Sequence, residues 1–400
     1  MSSDAFDHTA RWFGGKGRPV AAVEEAGAAG GLRLRDVRYA DGGHERYLDV
    51  PDGFAWAPLV DALRAAGAIA GSGGSLELCR GPAIDALAIG SGLQHVPATD
   101  QSNTLVVIDE RLLVKAYRRL ESGPHAEVEM LTALASRNAP VPPFAGSIHW
   151  VDDDGTDTAI ALLQAFVPGA EDGWEGPIER VAVALAEGPP YDVAEWRATG
   201  TVAAELHAAL VDAFGLRPGG ADDLAGWRGE AEAALAQAER HDPELSALAP
   251  LVRDRLAGLA RMAPPPVTRI HGDLHVAQLL RTGDDLLVID FEGDPIRTLA
   301  QRRRLSTPLW DVATLLRSID HLGSAAARRL SGIAPGAWIA AATAAALDAY
   351  ASASTEPVDR ELVRLLELAK ECMELVYALR YLPEWLYAPQ MGLRRLLEAV

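Results

Sequence analysis

Apolar and polar positions alternate through residues 32–50, in LRLRDVRY and again in HERYLDV, with Asp41-Gly42-Gly43 between the two runs. A period of two sends successive side chains to opposite faces of a sheet, so this stretch predicts a hairpin. Through residues 56–66 the apolar positions fall at helical spacing and predict a helix. A Gly-Ser-Gly-Gly loop at 71–74 precedes short strands predicted near 76–79 and 87–89. A second hairpin is predicted from 104–108 and 112–117, turning at Asp109-Glu110. Residues 124–136 read as a helix with proline at its start, and 158–167 as a strand. Pro168-Gly169 then marks a boundary between lobes. Beyond it the spacing predicts helices over 193–214, 223–239, 246–262, 309–322, 338–351, 357–382 and 391–399, with a short strand leading to His271. A strand-rich front and a helix-rich back predict an α+β protein whose lobes enclose a cleft.

Composition narrows the class. The 400 residues are 49% hydrophobic and 23% charged, an ordinary globular balance. Two cysteines, Cys79 and Cys372, argue against a disulfide framework and a cysteine-rich zinc site, which points to a reducing, cytoplasmic setting. Residues 1–7 carry no signal-peptide pattern, and no apolar run is long enough to span a membrane. A net charge of −19 disfavours nucleic acid as a partner, because neutralising phosphates with Lys and Arg supplies most of that affinity. The expected partner is a small molecule bound by a monomer. Only three of the 37 basic residues are lysine: Lys16, Lys115 and Lys370. In so arginine-rich a chain a lysine hints at a site that suits a compact ammonium.

The strongest chemistry lies in His271-Gly272-Asp273-Leu274-His275-Val276-Ala277-Gln278, followed after an apolar strand by Asp290-Phe291-Glu292-Gly293-Asp294. Phosphoryl transfer to an alcohol needs a carboxylate to orient the hydroxyl and take its proton, and metal to neutralise the phosphates. Asp273 suits the first role. Gln278 and Asp290 offer the oxygen ligands that Mg²⁺ prefers. A His-x-Asp-x-His pattern alone would also fit a dinuclear hydrolase. The second carboxylate, on the end of its own strand, favours the transferase. In the front half, Lys115 lies on a predicted strand where its ammonium would reach the α- and β-phosphates of a nucleotide. Glu129 on the following helix is its expected partner. Glu127 competes, but residues two apart on a helix do not share a face. Small polar residues at Gln101-Ser102-Asn103-Thr104 take the place of a glycine-rich phosphate loop.

HGDLHVAQLL with VIDFEGDP resembles the catalytic and metal loops of the aminoglycoside phosphotransferase and maltokinase superfamily, and QSNT resembles the phosphate loop of maltokinases. The resemblance implies a bilobal protein-kinase-like fold, with an N-terminal cap at 1–92, a β-rich ATP-binding subdomain at 93–168 and a helical lobe at 169–400. It implies ATP and Mg²⁺ as cofactors, and places Gln164, Phe166 and Val167 at the hinge facing adenine. The segment RWFGGKGR at 11–18 is similar to the maltokinase cap, although Trp12 and Phe13 suit a structural turn packed in the core. Asp172-Gly173-Trp174-Glu175 is also similar to that group.

Near the C-terminus, Glu371 and Glu374 stand at i and i+3 of a predicted helix and share a face, with Trp385 close behind. Two carboxylates and a ring suit a sugar, through its hydroxyls and apolar face, or an amino sugar, through its ammonium, and equally suit a solvated acidic face with Trp385 anchoring the chain end. The segment resembles the C-terminal signature of actinobacterial glucosamine kinases, a sister group of maltokinases. The resemblance implies glucosamine as acceptor at its 6-hydroxyl, with Glu371, Glu374, Trp385 and Asp172 as sugar contacts and His275 and Arg302 assisting. A maltokinase, an aminoglycoside-modifying enzyme, a catalytically inactive nucleotide-binding regulator and a metal-dependent phosphohydrolase are the alternatives.

Overall fold

In the computed structural model of the chain, residues 6, 12–97, 102–283, 285–294, 297–330 and 332–398 are described. The chain divides into two compact units, one of residues 1–137 with 142–169, the other of 138–141 with 170–400.

The first unit runs β1 (Val20–Ala29), β2 (Leu32–Tyr39), β3 (His44–Asp49), α1 (Ala57–Arg64), β4 (Ala68–Ala70), β5 (Gly74–Arg80), β6 (Gln94–His95), β7 (Thr104–Ile108), β8 (Leu112–Ala116), β9 (Arg119–Leu120), α2 (Ala126–Leu134), β10 (Phe144–Asp152) and β11 (Asp157–Ala165). One sheet has the order β1-β2-β3-β9 and the other β4-β5-β10-β11-β8-β7-β6. The second sheet takes β4 and β5 from residues before 92 and the rest from residues after it. Main-chain hydrogen bonds therefore knit these two segments together. β7 and β8 meet at Asp109 and Glu110, both with φ of 52°, a turn whose twist matches the flanking strands. No strand forms at 87–89. The Ile89 N–H bonds the Leu87 carbonyl and Arg64 donates to the same oxygen, which makes a tight turn instead. β1 and β10 lie in stretches with no clean alternation. β1 is bulged near Gly27, where a Cβ would run into the Trp150 ring. Trp12 and Phe13 pack with Tyr47 and Tyr39, and the Gly14 N–H donates to the Tyr47 hydroxyl, so this turn is structural. Arg11 lies outside the described residues.

The second unit runs β12 (Glu171–Asp172), α3 (Glu175–Glu187), α4 (Ala194–Phe214), α5 (Ala221–Glu239), α6 (Pro243–Leu256), β13 (Leu279–Thr282), β14 (Asp285–Val288), α7 (Leu299–Arg302), α8 (Pro308–Arg328), α9 (Gly336–Ala353), α10 (Arg360–Tyr381) and α11 (Tyr387–Glu398). α8 is the spine. It is buried almost without a break from Leu309 to Ala327, capped by the Thr307 side chain and started by Pro308. α10 packs on α5, α8 and α11. α4 and α9 approach so closely that a Cβ on Gly200 would lie 2.0 Å from the Ala346 carbonyl oxygen. Among the described residues no helix is long and apolar enough to cross a membrane.

Candidate active site

The loop at 271–276 turns between the chain leaving α6 and the hairpin β13–β14. Gly272 sits at φ 85°, a backbone region that favours glycine. α8 grips the loop at two points. Asp311, in its first turn, accepts from the His271 N–H at 2.8 Å and the Gly272 N–H at 2.9 Å. Two turns on, the Ser318 hydroxyl accepts from the Val276 N–H at 3.0 Å. Asp311 is wholly buried and also meets His207 Nε2 at 3.2 Å, whose other nitrogen meets the Tyr350 hydroxyl at 2.9 Å. His271 ties the loop to the next strand, with Nε2 against the Ile289 carbonyl and Nδ1 accepting from the Asp273 N–H.

This scaffold aims Asp273 outward while keeping it mostly enclosed, its side chain 19% exposed. Burial pushes its carboxyl above the usual range, while the Lys370 ammonium and His275 pull it back. Lys370 Nζ lies 3.7 Å from Asp273 Oδ1 and 3.1 Å from Glu374 Oε1, and His275 Nε2 lies 3.8 Å from Asp273 Oδ2. Gln278 closes a short helical turn at Val276–Gln278 and donates from its amide to Asp290 at 3.4 Å. Asp290 adopts a left-handed φ of 64° just after β14, which turns its carboxylate back toward Gln278. The two expected metal ligands are thus neighbours. An amide and a carboxylate both offer the oxygen donors that suit Mg²⁺, so this pair fits that ion.

The predicted sugar contacts differ in their surroundings, and one of them, Glu371, needs correction. Glu371 is fully buried, and both its oxygens meet His321 Nε2, at 3.1 and 3.2 Å. It belongs to a buried ionic network with Arg317, Glu367 and Asp320, and it does not share an open surface with Glu374. α10 packs with α8 on one side and α11 on another, so the i, i+3 pair straddles the core. Asp172 spends one carboxylate oxygen on the N–H groups of Trp174 and Glu175, stapling the start of α3. Arg302 donates to the carbonyls of Arg297 and Glu292 and braces the loop after Asp290. Trp385 packs edge-on against Trp174 and alongside Tyr387.

In the first unit, Lys115 on β8 pairs with Glu127, the competing glutamate, where Glu129 was expected. Its Nζ is 2.9 Å from Glu127 Oε2, and the Tyr117 hydroxyl donates to the same carboxylate at 2.7 Å. α2 begins at Ala126, so its first turn presents Glu127, which is 2% exposed, inward to the sheet. Thr104 opens β7, and Ser102 and Asn103 precede it. Gln101 lies outside the described residues. Gln164 is paired in β11, and the Phe166 N–H is taken by the Arg111 carbonyl at 2.8 Å, so that group does not face a nucleotide.

Sequence reasoning left Lys370, Asp294 and Tyr377 without roles, yet all three gather about Asp273 and Glu374. The i, i+4 spacing of Lys370 and Glu374 was the available clue.

Residues 95–354 match the model of the phosphotransferase enzyme family. The glucosamine kinase of Mycolicibacterium smegmatis is 31% identical over 407 residues, covering 96% of each chain. That of Streptacidiphilus jiangxiensis is 34% identical over 318 residues, covering 74% of this chain and 72% of that protein. A solved glucosamine kinase in complex with glucosamine, ADP and inorganic phosphate superposes with a TM-score of 0.76 at 28% identity, covering 95% of this chain and 94% of that one. A second crystal form of a glucosamine kinase gives 0.74 at 27% identity, covering 96% and 95%. With the 271–276 loop clamped to α8, the family match over residues 95–354 and the long matches to these kinases, the chain belongs to the phosphotransferase enzyme family and has its bilobal, protein-kinase-like fold.

Proposed function

We propose that this protein transfers the γ-phosphoryl group of ATP to the 6-hydroxyl of glucosamine. The observation that carries the amino-sugar reading is the group of carboxylates around Asp273: Glu374 on α10 and Asp294 beyond β14 both act on the same small volume. An ammonium is attracted to such a cluster, whereas a neutral hydroxyl gains only hydrogen bonds. Long matches to glucosamine kinases support the same choice.

Asp273 orients the acceptor hydroxyl and takes its proton as the bond to phosphorus forms. Gln278 and Asp290 hold Mg²⁺, which when bound offsets the charge of the phosphates. Lys115, held by Glu127, engages the nucleotide phosphates, with Ser102, Asn103 and Thr104 supplying small polar donors and the backbone at Val167 serving adenine. Glu374 and Asp294 receive the sugar amine, Tyr377 lies beside them, and His275 supports Asp273. Residues 1–92 act as a cap, 93–168 carry the ATP-binding elements and 169–400 the acceptor site. We place the chain in a group sister to the maltokinases, working as a cytoplasmic monomer.

The test is ADP release from purified protein with ATP and Mg²⁺ against glucosamine, N-acetylglucosamine, glucose, maltose and an aminoglycoside. Turnover chiefly on glucosamine is expected. Turnover on maltose alone would overturn the acceptor, and no turnover on any sugar would favour a nucleotide-binding regulator.

A further inference from the structure

Lys370 sits in the middle of α10 and is only 4% exposed. A buried ammonium is costly unless carboxylates surround it. Three do. Glu374 Oε1 is 3.1 Å away, Asp273 Oδ1 is 3.7 Å away, and Asp294 acts on it through space. Together they outweigh burial and hold the lysine above its usual range. Tyr377, two turns further on α10, feels the same three carboxylates. His275 faces Asp273 and Glu374 from the catalytic loop, and His321 faces Glu374 from α8 but is itself engaged by Glu371. Arg297 stands 3.7 Å from Asp294 at the rim.

The cage therefore already contains a primary ammonium, the same group that an amino sugar brings. Three carboxylates against one lysine leave an excess of negative charge, enough to attract a further cation but less than the carboxylates alone would exert. We propose that Lys370 sets acceptor specificity: its ammonium neutralises part of the carboxylate cage, and so limits how strongly the enzyme prefers an amine over a hydroxyl on the acceptor. This rests on the amino-sugar reading above. Lys370 also helps keep Asp273 in its charged form, an effect that applies to every acceptor alike and cancels when two acceptors are compared.

The experiment measures kcat/KM for glucosamine and for glucose, at fixed ATP and Mg²⁺, in the wild type, Lys370→Met and Lys370→Arg. Lys370→Met should raise the glucosamine-to-glucose ratio by about tenfold or more, the scale of one unit charge removed a few ångström from an amine in a partly buried site. Lys370→Arg, which keeps the charge, should leave the ratio near the wild-type value. An unchanged or lowered ratio in Lys370→Met overturns the proposal. If Lys370→Met does not fold, the comparison is made between Glu374→Gln and the double variant Lys370→Met with Glu374→Gln. The double variant removes one charge of each sign, a change that folded proteins often accept. The same rise is expected there, and its absence is equally fatal. A wild type with no preference for glucosamine would instead refute the acceptor reading itself.

Discussion

Asp311→Asn changes one oxygen to an NH₂ group and leaves the shape of the side chain alone. In the native protein Oδ1 accepts from the Gly272 N–H at 2.9 Å, while Oδ2 accepts from the His271 N–H at 2.8 Å and meets His207 at 3.2 Å. Asparagine has one acceptor oxygen, so one side of the amide must present N–H groups to a backbone N–H. The residue is 0% exposed. The loss is one hydrogen bond to a charged group, about 1.5–3 kcal/mol, plus an unsatisfied buried donor at about 1–3 kcal/mol. A total of about 2.5–6 kcal/mol falls on the loop that carries Asp273. A loop displaced by about 1 Å is enough to cost on the order of 10²-fold in kcat. Urea unfolding and steady-state kinetics should therefore show a lower midpoint and a kcat reduced about a hundredfold, with ATP binding by the folded protein retained. Wild-type stability together with wild-type kcat would refute the idea that α8 holds the catalytic loop through this carboxylate.

Asp273→Ala should lower kcat by ~10²–10⁴, the range for losing a general base, while calorimetry still shows nucleotide binding. Glu127→Gln should weaken ATP binding about tenfold by loosening Lys115 and Tyr117. Glu129→Gln should leave ATP binding near the wild-type value, and equal effects in the two variants would undo the pairing assigned to Lys115. Gly200→Ala places a Cβ 2.0 Å from the Ala346 carbonyl oxygen, where two helix backbones would have to part. A loss of roughly 3 kcal/mol or more in urea unfolding is expected. Glu371 raises His321 above its usual value of 6.5. A raised histidine adds stability that is full below the unfolded value and is lost as pH climbs through the folded one. Stability should therefore fall more steeply above neutral pH in the wild type than in His321→Gln, and parallel curves would show that the pair contributes nothing.

Much of the architecture could be read from the one-dimensional pattern. Helices α4, α8, α9 and α10 follow apolar spacing over many turns, and the hairpin β7–β8 follows alternation about a short turn, because local periodicity reports which face an element buries. The short strands were harder. Residues 87–89 carry strand-like apolar residues, but Arg64 from α1 and a local hydrogen bond fold them into a turn. β10 runs between β5 and β11 in the interior of its sheet, and a strand buried on both sides need not alternate.

The chemistry divides along the same line. That Asp273 stands on the loop ahead of Gln278 and Asp290, with the last two side by side, could be read from the sequence because the three lie within one loop and hairpin, where sequence distance and spatial distance nearly coincide. The partners of these residues come from elsewhere in the chain. Asp311 reaches the loop from α8, Lys370 and Glu374 reach Asp273 from α10, and Glu371 turns away to His321. Helical spacing put Glu371 and Glu374 on a shared face, but it could not say which edge of that face meets another helix. It likewise offered Lys115 two glutamates, and the point at which α2 begins chose Glu127. Local periodicity determined which elements form, and the loop motif marked Asp273 as the carboxylate we propose to be catalytic. Only tertiary packing decided which charged groups are buried together, because the cost of burying a charge depends on neighbours that the chain brings from far away in sequence.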